Sequence, residues 1–171
     1  DKVAKIDTRT YFKGQKKNAF TRKMETPRPQ VGNIYYCPIE NNLENSVIME
    51  VAGEVVTMEM LNQVREEMSA AYSCGANISL SLMADKAYAM LSSQAPISEP
   101  SKLDAAAERM KKIVADAAKG VDPDKVKKVK DNMLKSADIA FKNNQFWMSA
   151  LVNWKEYGID IYTNYKKTIE G

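Results

Sequence analysis

The sequence predicts an α+β domain in which a small, mainly antiparallel sheet is covered by helices on one face. β-favouring residues around Tyr35 indicate an early strand, and alternating residues in 71–97 indicate a pair of strands. Helical periodicity fills the segment between these regions and almost everything after them. With 171 residues, 44% of them hydrophobic, the chain can bury one sizeable core. We therefore expect one domain.

The first 28 residues are expected to form a lead-in or linker, and the domain is expected to occupy residues 29–171. The lead-in is basic and interrupted by turn formers such as Gly14 and Asn18. Residues before proline avoid the helical region, so Thr26-Pro27-Arg28-Pro29 predicts an extended approach to the sheet. The first strand is expected at Gln30–Cys37.

A long amphipathic helix is expected next, ending near Met68. Either Asn41 or Asn42 can cap its start. Apolar residues then recur at the spacing of one buried helical stripe, at Leu43, Val47, Ile48, Val51, Val55, Met58 and Leu61.

The strand pair is expected to be an antiparallel hairpin. Its strands are predicted at Ala71–Met83 and Lys86–Ile97, joined by Ala84-Asp85. Apolar residues alternate with polar ones in the first of them, as in a strand with one buried face. These residues are Ile78, Leu80 and Leu82 against Asn77, Ser79 and Ser81.

Several helices are expected after the hairpin. Ser101 is predicted to cap the first, and Gly120 to stop it. Asp122-Pro123 is predicted to start the second, with aspartate as the cap and proline at the first helical position. The third is expected from Asn144 to Gly158, and a short fourth over Ile159–Ile169.

Composition excludes several functions. Histidine is absent, which removes the commonest metal ligand and the usual general base near neutral pH. Cys37 and Cys74 lack the close C-x-x-C spacing of thiolate sites, so we expect no metal in this chain and no catalysis by it alone. Whether the two cysteines pair with each other is left open. A net charge of +3 without long charge blocks does not indicate nucleic acid.

No membrane span or signal peptide is predicted. No apolar run approaches the roughly 18 residues that a span needs, and residues 1–5 lack an apolar core. The chain lacks an initiating methionine and stops at Gly171 directly after a helical pattern, so both ends are expected to be cuts in a longer polypeptide. The compartment stays open between bacterial periplasm and cytoplasm.

One motif lies where the long helix meets the hairpin. Residues 61–73 resemble the pattern [IV]-R-E-E-x-G-x-x-Y-[SG] of the C-terminal domain of pitrilysin- or insulinase-class zinc peptidases, the inverzincins. The matching residues are Val64, Arg65, Glu66, Glu67, Tyr72 and Ser73. Later segments agree in order: Ile97-Ser98-Glu99-Pro100, Phe146-Trp147 and Tyr157-Gly158. Ser69 stands where the family usually has a glycine.

The resemblance implies a domain like those of pitrilysin and the mitochondrial processing peptidase. Such enzymes hold zinc in a separate N-terminal domain with an H-x-x-E-H motif, in the same chain or in a second subunit. The resemblance assigns Arg65 and Tyr72 to substrate binding and transition-state stabilisation on a peptide or unfolded protein. Guanidinium and phenol groups suit that task because both donate hydrogen bonds to developing negative charge.

Other interpretations remain beside this one. Arg65-Glu66-Glu67 could be a solvated helix end, and Tyr72 could pack on the core from an edge strand. The whole domain could be an inactive relative that supports assembly of a complex, or it could bind peptides by adding a strand to its sheet. The lysines at 125, 127, 128 and 130 are interpreted as a solvated helix face.

Overall fold

The α+β prediction is confirmed. A computed structural model describes residues 13–26, 28–83 and 86–171. Its sheet contains β1 (Gln30–Ile39), β2 (Gly75–Met83) and β3 (Lys86–Pro96). Its α-helices are α1 (Leu43–Met60), α2 (Leu103–Ala117), α3 (Pro123–Ala140), α4 (Asn144–Tyr157) and α5 (Ile161–Glu170). A π-helix (Leu61–Glu67) continues α1, and a 3₁₀ turn (Pro100–Lys102) precedes α2. Residues 13–26 are exposed and contain no helix or strand.

The sheet is antiparallel, with strand order β1-β3-β2. Gln30 lies opposite Pro96 at one end of the β1–β3 pair, and Gly75 lies opposite Gln94 in the β2–β3 pair. β3 is therefore central, and both β1 and β2 are edge strands. The predicted hairpin is confirmed, whereas its Ala84-Asp85 connection lies outside the described residues.

The first strand and the long helix form where the sequence predicts them, but the strand after the helix starts later. Ala71 makes only an isolated bridge to Ile97, and β2 begins at Gly75. The residues between Ala71 and Gly75 form a bend instead of the predicted first part of the strand.

The helix α1 is buried on two sides rather than along one stripe. One side packs on the sheet and α2 through Val56 and Met60, and the other packs on α3 and α5 through Val47 and Val55. A helix covered on two sides needs apolar residues around most of its circumference. The single-stripe prediction was therefore incomplete, and it was wrong for Ile48, which is 53% exposed.

Capping side chains define most helix starts. Asn42 Oδ1 accepts from the Asn45 N–H at 2.7 Å, and Asp122 Oδ1 accepts from the Asp124 N–H at 2.9 Å with Pro123 at the first helical position. The prediction for Ser101 was wrong, because that residue lies inside the 3₁₀ turn and α2 begins without a side-chain cap. Proline at residue 100 favours this early helical turn.

The C-terminal helices are joined by an aromatic cluster, defined as Phe141, Phe146, Trp147 and Tyr162. The Trp147 indole N–H donates to the Phe141 carbonyl oxygen at 2.9 Å, and the Trp147 and Tyr162 ring centroids lie 4.8 Å apart. None of the helices in the described part of the chain is long and apolar enough to cross a membrane.

Candidate functional site

Arg65 lies on the π-helix that prolongs α1. The hydrogen bonds at the end of this segment span more residues than the four of an α-helix. The Met68 N–H donates to the Gln63 carbonyl at 3.3 Å, and the Ala70 N–H donates to the Val64 carbonyl at 3.0 Å. Val64 is fully buried and anchors the segment in the core. π-Helical segments are rare and frequent at functional sites.

The Arg65 side chain is exposed and carries its charge near the residues that precede β2. Its side chain is 51% exposed, and its Nε atom lies 3.4 Å from Glu66 Oε1. Burial raises the pKa of the Cys74 thiol above its ordinary value, and the positive charge of Arg65 opposes that rise. The guanidinium is therefore within electrostatic range of Cys74, just ahead of β2. Cys74 and Cys37 are both free thiols.

The turn between the π-helix and β2 is hydrogen-bonded to the segment that follows β3. Ser69 adopts a φ of +47°, in the left-handed region that favours glycine. The Ser98 N–H donates to the Ala70 carbonyl at 2.8 Å, and Lys102 Nζ donates to the Ser69 carbonyl at 3.0 Å. Ser69 therefore adopts a conformation that glycine adopts with less strain.

Tyr72 projects from this turn into solvent. Its neighbour Ala71 is buried, whereas Tyr72 is 87% exposed and has no hydrogen-bond partner in the described part of the chain. The alternative that Tyr72 packs on the core is therefore wrong. Tyr72 also lies before β2 rather than on it. Arg65 and Tyr72 thus both lie in the segment that joins α1 to β2. No direct bond between their side chains is seen in the described residues.

A polar network flanks the π-helix and was not predicted from the sequence. Arg109 Nη1 of α2 donates to Glu67 Oε2 at 3.2 Å and to Gln63 Oε1 at 3.4 Å. Gln63 Nε2 in turn donates to Glu59 Oε2 at 3.0 Å, and Lys125 of α3 also donates to Glu59. Apart from the local pair of Glu59 and Gln63, these partners are 42 to 66 residues apart in sequence, so no local pattern signals them.

In the described part of the chain, this turn belongs to no cluster of metal ligands, and it lines neither the cavity at α3 and α5 nor the one at the start of α1. Across residues 13–26, 28–83 and 86–171, no group of three or more Cys, Asp or Glu side chains is arranged to hold a metal ion. One open cavity of about 600 Å³ is lined by residues of α3, its preceding loop and the end of α5, including Val126 and Lys130, and by neither Arg65 nor Tyr72.

Comparison with known proteins gives a fold relationship. The sequence matches no protein-family model and none of the curated proteins. The structure is similar to the periplasmic protease PqqL from Escherichia coli, with a TM-score of 0.66 and 18% identity over 86% of this chain. It is also similar to a variant of the ferredoxin protease FusC in complex with Arabidopsis ferredoxin, with a TM-score of 0.59 and 13% identity over 84% of this chain.

The chain has the fold of a pitrilysin-type protease domain. It spans 16% of the length of each of the two proteases. The same fold therefore forms a minor part of much longer chains in both. This agrees with the fold that the motif at residues 61–73 implied.

Proposed function

We propose that this chain is the substrate-binding, non-catalytic domain of a zinc-dependent metalloendopeptidase of the inverzincin type. The observation that carries the proposal is the position of two exposed hydrogen-bond donors, Arg65 on the π-helix and Tyr72 on the hydrogen-bonded turn that follows it. The fold shared with two proteases supports a peptidase context, and the 16% coverage supports a domain that acts beside others.

The zinc is assigned to a separate N-terminal domain, in the same polypeptide or in a second subunit. The H-x-x-E-H motif needs two histidines, and this sequence has none. Zinc in that domain would activate the attacking water. This chain would be inactive alone.

Arg65 and Tyr72 would contact the peptide from the side opposite the zinc-bearing domain. Guanidinium offers several N–H donors in a fixed geometry, and the phenol offers one directional O–H donor. Both can orient peptide carbonyls and stabilise negative charge on the oxygen of the tetrahedral intermediate. The π-helix and the Ser98 contacts hold the backbone between them, so the two donors start from a defined separation.

Peptide binding by the isolated chain is the first test. A labelled, unfolded peptide is titrated against the wild type, Arg65→Ala and Tyr72→Phe. We expect Arg65→Ala to raise Kd about tenfold, the equivalent of ~1.4 kcal/mol, because a charge-assisted hydrogen bond is lost. Lys128→Ala, at an exposed position on α3, is the matched control and should bind like the wild type. Equal affinities for the wild type and Arg65→Ala would contradict the proposed role.

Turnover by the complete enzyme is the second test. Removing a donor to the oxyanion typically lowers turnover about a hundredfold to a thousandfold. Arg65→Ala or Tyr72→Phe should do so with unchanged folding and zinc content. Wild-type turnover in both variants would exclude transition-state stabilisation by this pair.

A second function, structural support of a complex, is favoured by α4. Only Ala150 of this helix is buried. Four of its large apolar side chains are more than half exposed to solvent: Met148, Leu151, Val152 and Trp154. Exposed apolar side chains with a tryptophan are typical of protein interfaces. In the full-length protein, Leu151→Glu should disrupt such a complex on size-exclusion chromatography, whereas Ser149→Glu should not. Intact peptide binding and turnover with a broken complex would show both functions in one domain.

A further inference from the structure

We infer that Arg109 is a positioning residue that orients Arg65 through the π-helix, an inference that rests on the proposed substrate-binding role. Arg109 belongs to α2 and lies 44 residues after Arg65 in the sequence. No bond joins the two arginines in the part of the chain that the structure describes. Any influence of Arg109 on a ligand at Arg65 therefore passes through the residues that Arg109 holds.

Those residues are Gln63 and Glu67, one on each side of Arg65 in the sequence. One nitrogen of Arg109, Nη1, lies 3.4 Å from Gln63 Oε1 and 3.2 Å from Glu67 Oε2. Side chains four residues apart lie close together on one side of a helix, so a single guanidinium can span them. Arg109 thus ties the first and last parts of the segment that carries Arg65 to α2.

The same segment is held from the opposite flank. Gln63 donates to Glu59 at 3.0 Å, and Lys125 of α3 donates to that carboxylate. Asn62 donates to Glu67 Oε1 at 3.1 Å, so that without Arg109 the Glu67 carboxylate would keep only a contact within its own segment. Arg109 is therefore the one link from α2 to these two side chains among the described contacts.

The π-helix needs such contacts because its geometry is less favourable than that of an α-helix. Runs of π-helix are rare, and a change to α-helical bonding would rotate every side chain after the change. Arg65 would move with them, while the buried Val64 and the Ser98 contacts would hold the neighbouring backbone. A direct stabilising role of the exposed Arg109–Glu67 pair is expected to be small, as for most exposed pairs.

A double-mutant cycle on the whole chain tests the inference. The labelled peptide is titrated against Arg109→Gln, Arg109→Lys and the same changes in an Arg65→Ala background. We expect Arg109→Gln to weaken binding about fivefold, Arg109→Lys to restore most of it, and neither to matter once Arg65 is removed. Lys112→Gln, which removes an exposed 2.5 Å ion pair with Asp116 on the same helix, is the control. An equal loss in both backgrounds would overturn the positioning role.

Amide hydrogen exchange gives a readout that does not depend on peptide binding. Arg109→Gln should accelerate exchange of the amides in residues 61–70 about fivefold, with the central amides of α2 unchanged. If no variant binds peptide but this acceleration is seen, the proposed function fails while the contact of Arg109 with the π-helix stands. Unchanged exchange rates at residues 61–70 in Arg109→Gln would overturn the inference, regardless of the measured peptide affinities.

Discussion

The hydroxyl of Thr57 satisfies both backbone groups of Ala76. Thr57 Oγ1 donates to the Ala76 carbonyl oxygen at 3.0 Å and accepts from the Ala76 N–H at 2.9 Å. Ala76 lies on β2, an edge strand, and a side chain of α1 thus takes the place of a neighbouring strand. Edge strands with free backbone groups invite pairing with other chains. At Ala76 the edge is therefore closed to strand addition.

Thr57→Val should destabilise the domain by about 1–2 kcal/mol. Valine keeps the shape but removes the hydroxyl, which leaves one donor and one acceptor of Ala76 unsatisfied. Urea unfolding followed by circular dichroism measures the free energy of unfolding. Thr57→Ser keeps the hydroxyl and should lose much less. A larger loss in Thr57→Ser than in Thr57→Val would show that the methyl group matters more than the hydrogen bonds.

Ser69→Gly should stabilise the domain by up to about 1 kcal/mol. Serine at a φ of +47° carries a steric cost that glycine does not, although glycine also adds freedom to the unfolded chain. Thermal unfolding compares the variant with the wild type. Ser101→Gly, within the 3₁₀ turn, is the matched control and should lower stability instead. A loss of stability in Ser69→Gly would show that the added freedom of the unfolded chain outweighs the steric cost of serine at this φ.

The contribution of Glu59 to stability should depend on pH. Hydrogen bonds from Lys125 and then Gln63 hold the pKa of the Glu59 carboxyl below its ordinary value of 4.5. A folded-state pKa below the unfolded value means that the stabilisation is fully present above about pH 4.5 and is lost as the pH falls through the lowered pKa. Unfolding free energies of the wild type and Glu59→Gln should therefore differ most above pH 4.5 and converge in acid.

Lys125→Met is the control for this pH effect, because it removes the main partner of Glu59 and leaves the carboxyl in place. The variant should show a weaker acid dependence than the wild type. A constant difference between the wild type and Glu59→Gln across this pH range would contradict the assignment.

The two cysteines should react at different rates, and Arg65 should affect only one of them. Cys37 is exposed, whereas burial raises the pKa of Cys74 above its ordinary 9.0 and the charge of Arg65 partly offsets the rise. Thiolate is the reactive form, so Cys74 should be alkylated more slowly at pH 8. Arg65→Gln should slow Cys74 further and leave Cys37 unchanged, as measured by mass spectrometry. An unchanged alkylation rate of Cys74 in Arg65→Gln would place Arg65 away from Cys74.

The order of elements could be predicted from the sequence alone because its signals are local. The caps at Asn42 and Asp122, the proline at 123 and the apolar spacing of α3 act within a few residues, and the helices begin where these signals lie. The motif at residues 61–73 also indicated the family fold, and it placed Arg65 near a helix end.

Other features depend on packing between distant residues. The π-helical register, the late start of β2 and the exposure of Tyr72 follow from contacts of that segment with α2 and with Ser98. Thr57 and Ala76 are nineteen residues apart, and Arg109 and Gln63 forty-six. No local pattern encodes such pairs.

The sequence by itself determined the fold class, the sequence of helices and strands, and the absence of the histidines that a zinc site of this type needs. Only the tertiary structure decided which side chains near residues 61–73 are buried and which face solvent. The physical reason is that burial depends on which elements pack together, and the π-helix lies where Arg109 of α2 bonds to its side chains. The motif in the sequence therefore singled out Arg65 and Tyr72, whereas their exposure to solvent is known only from the tertiary structure.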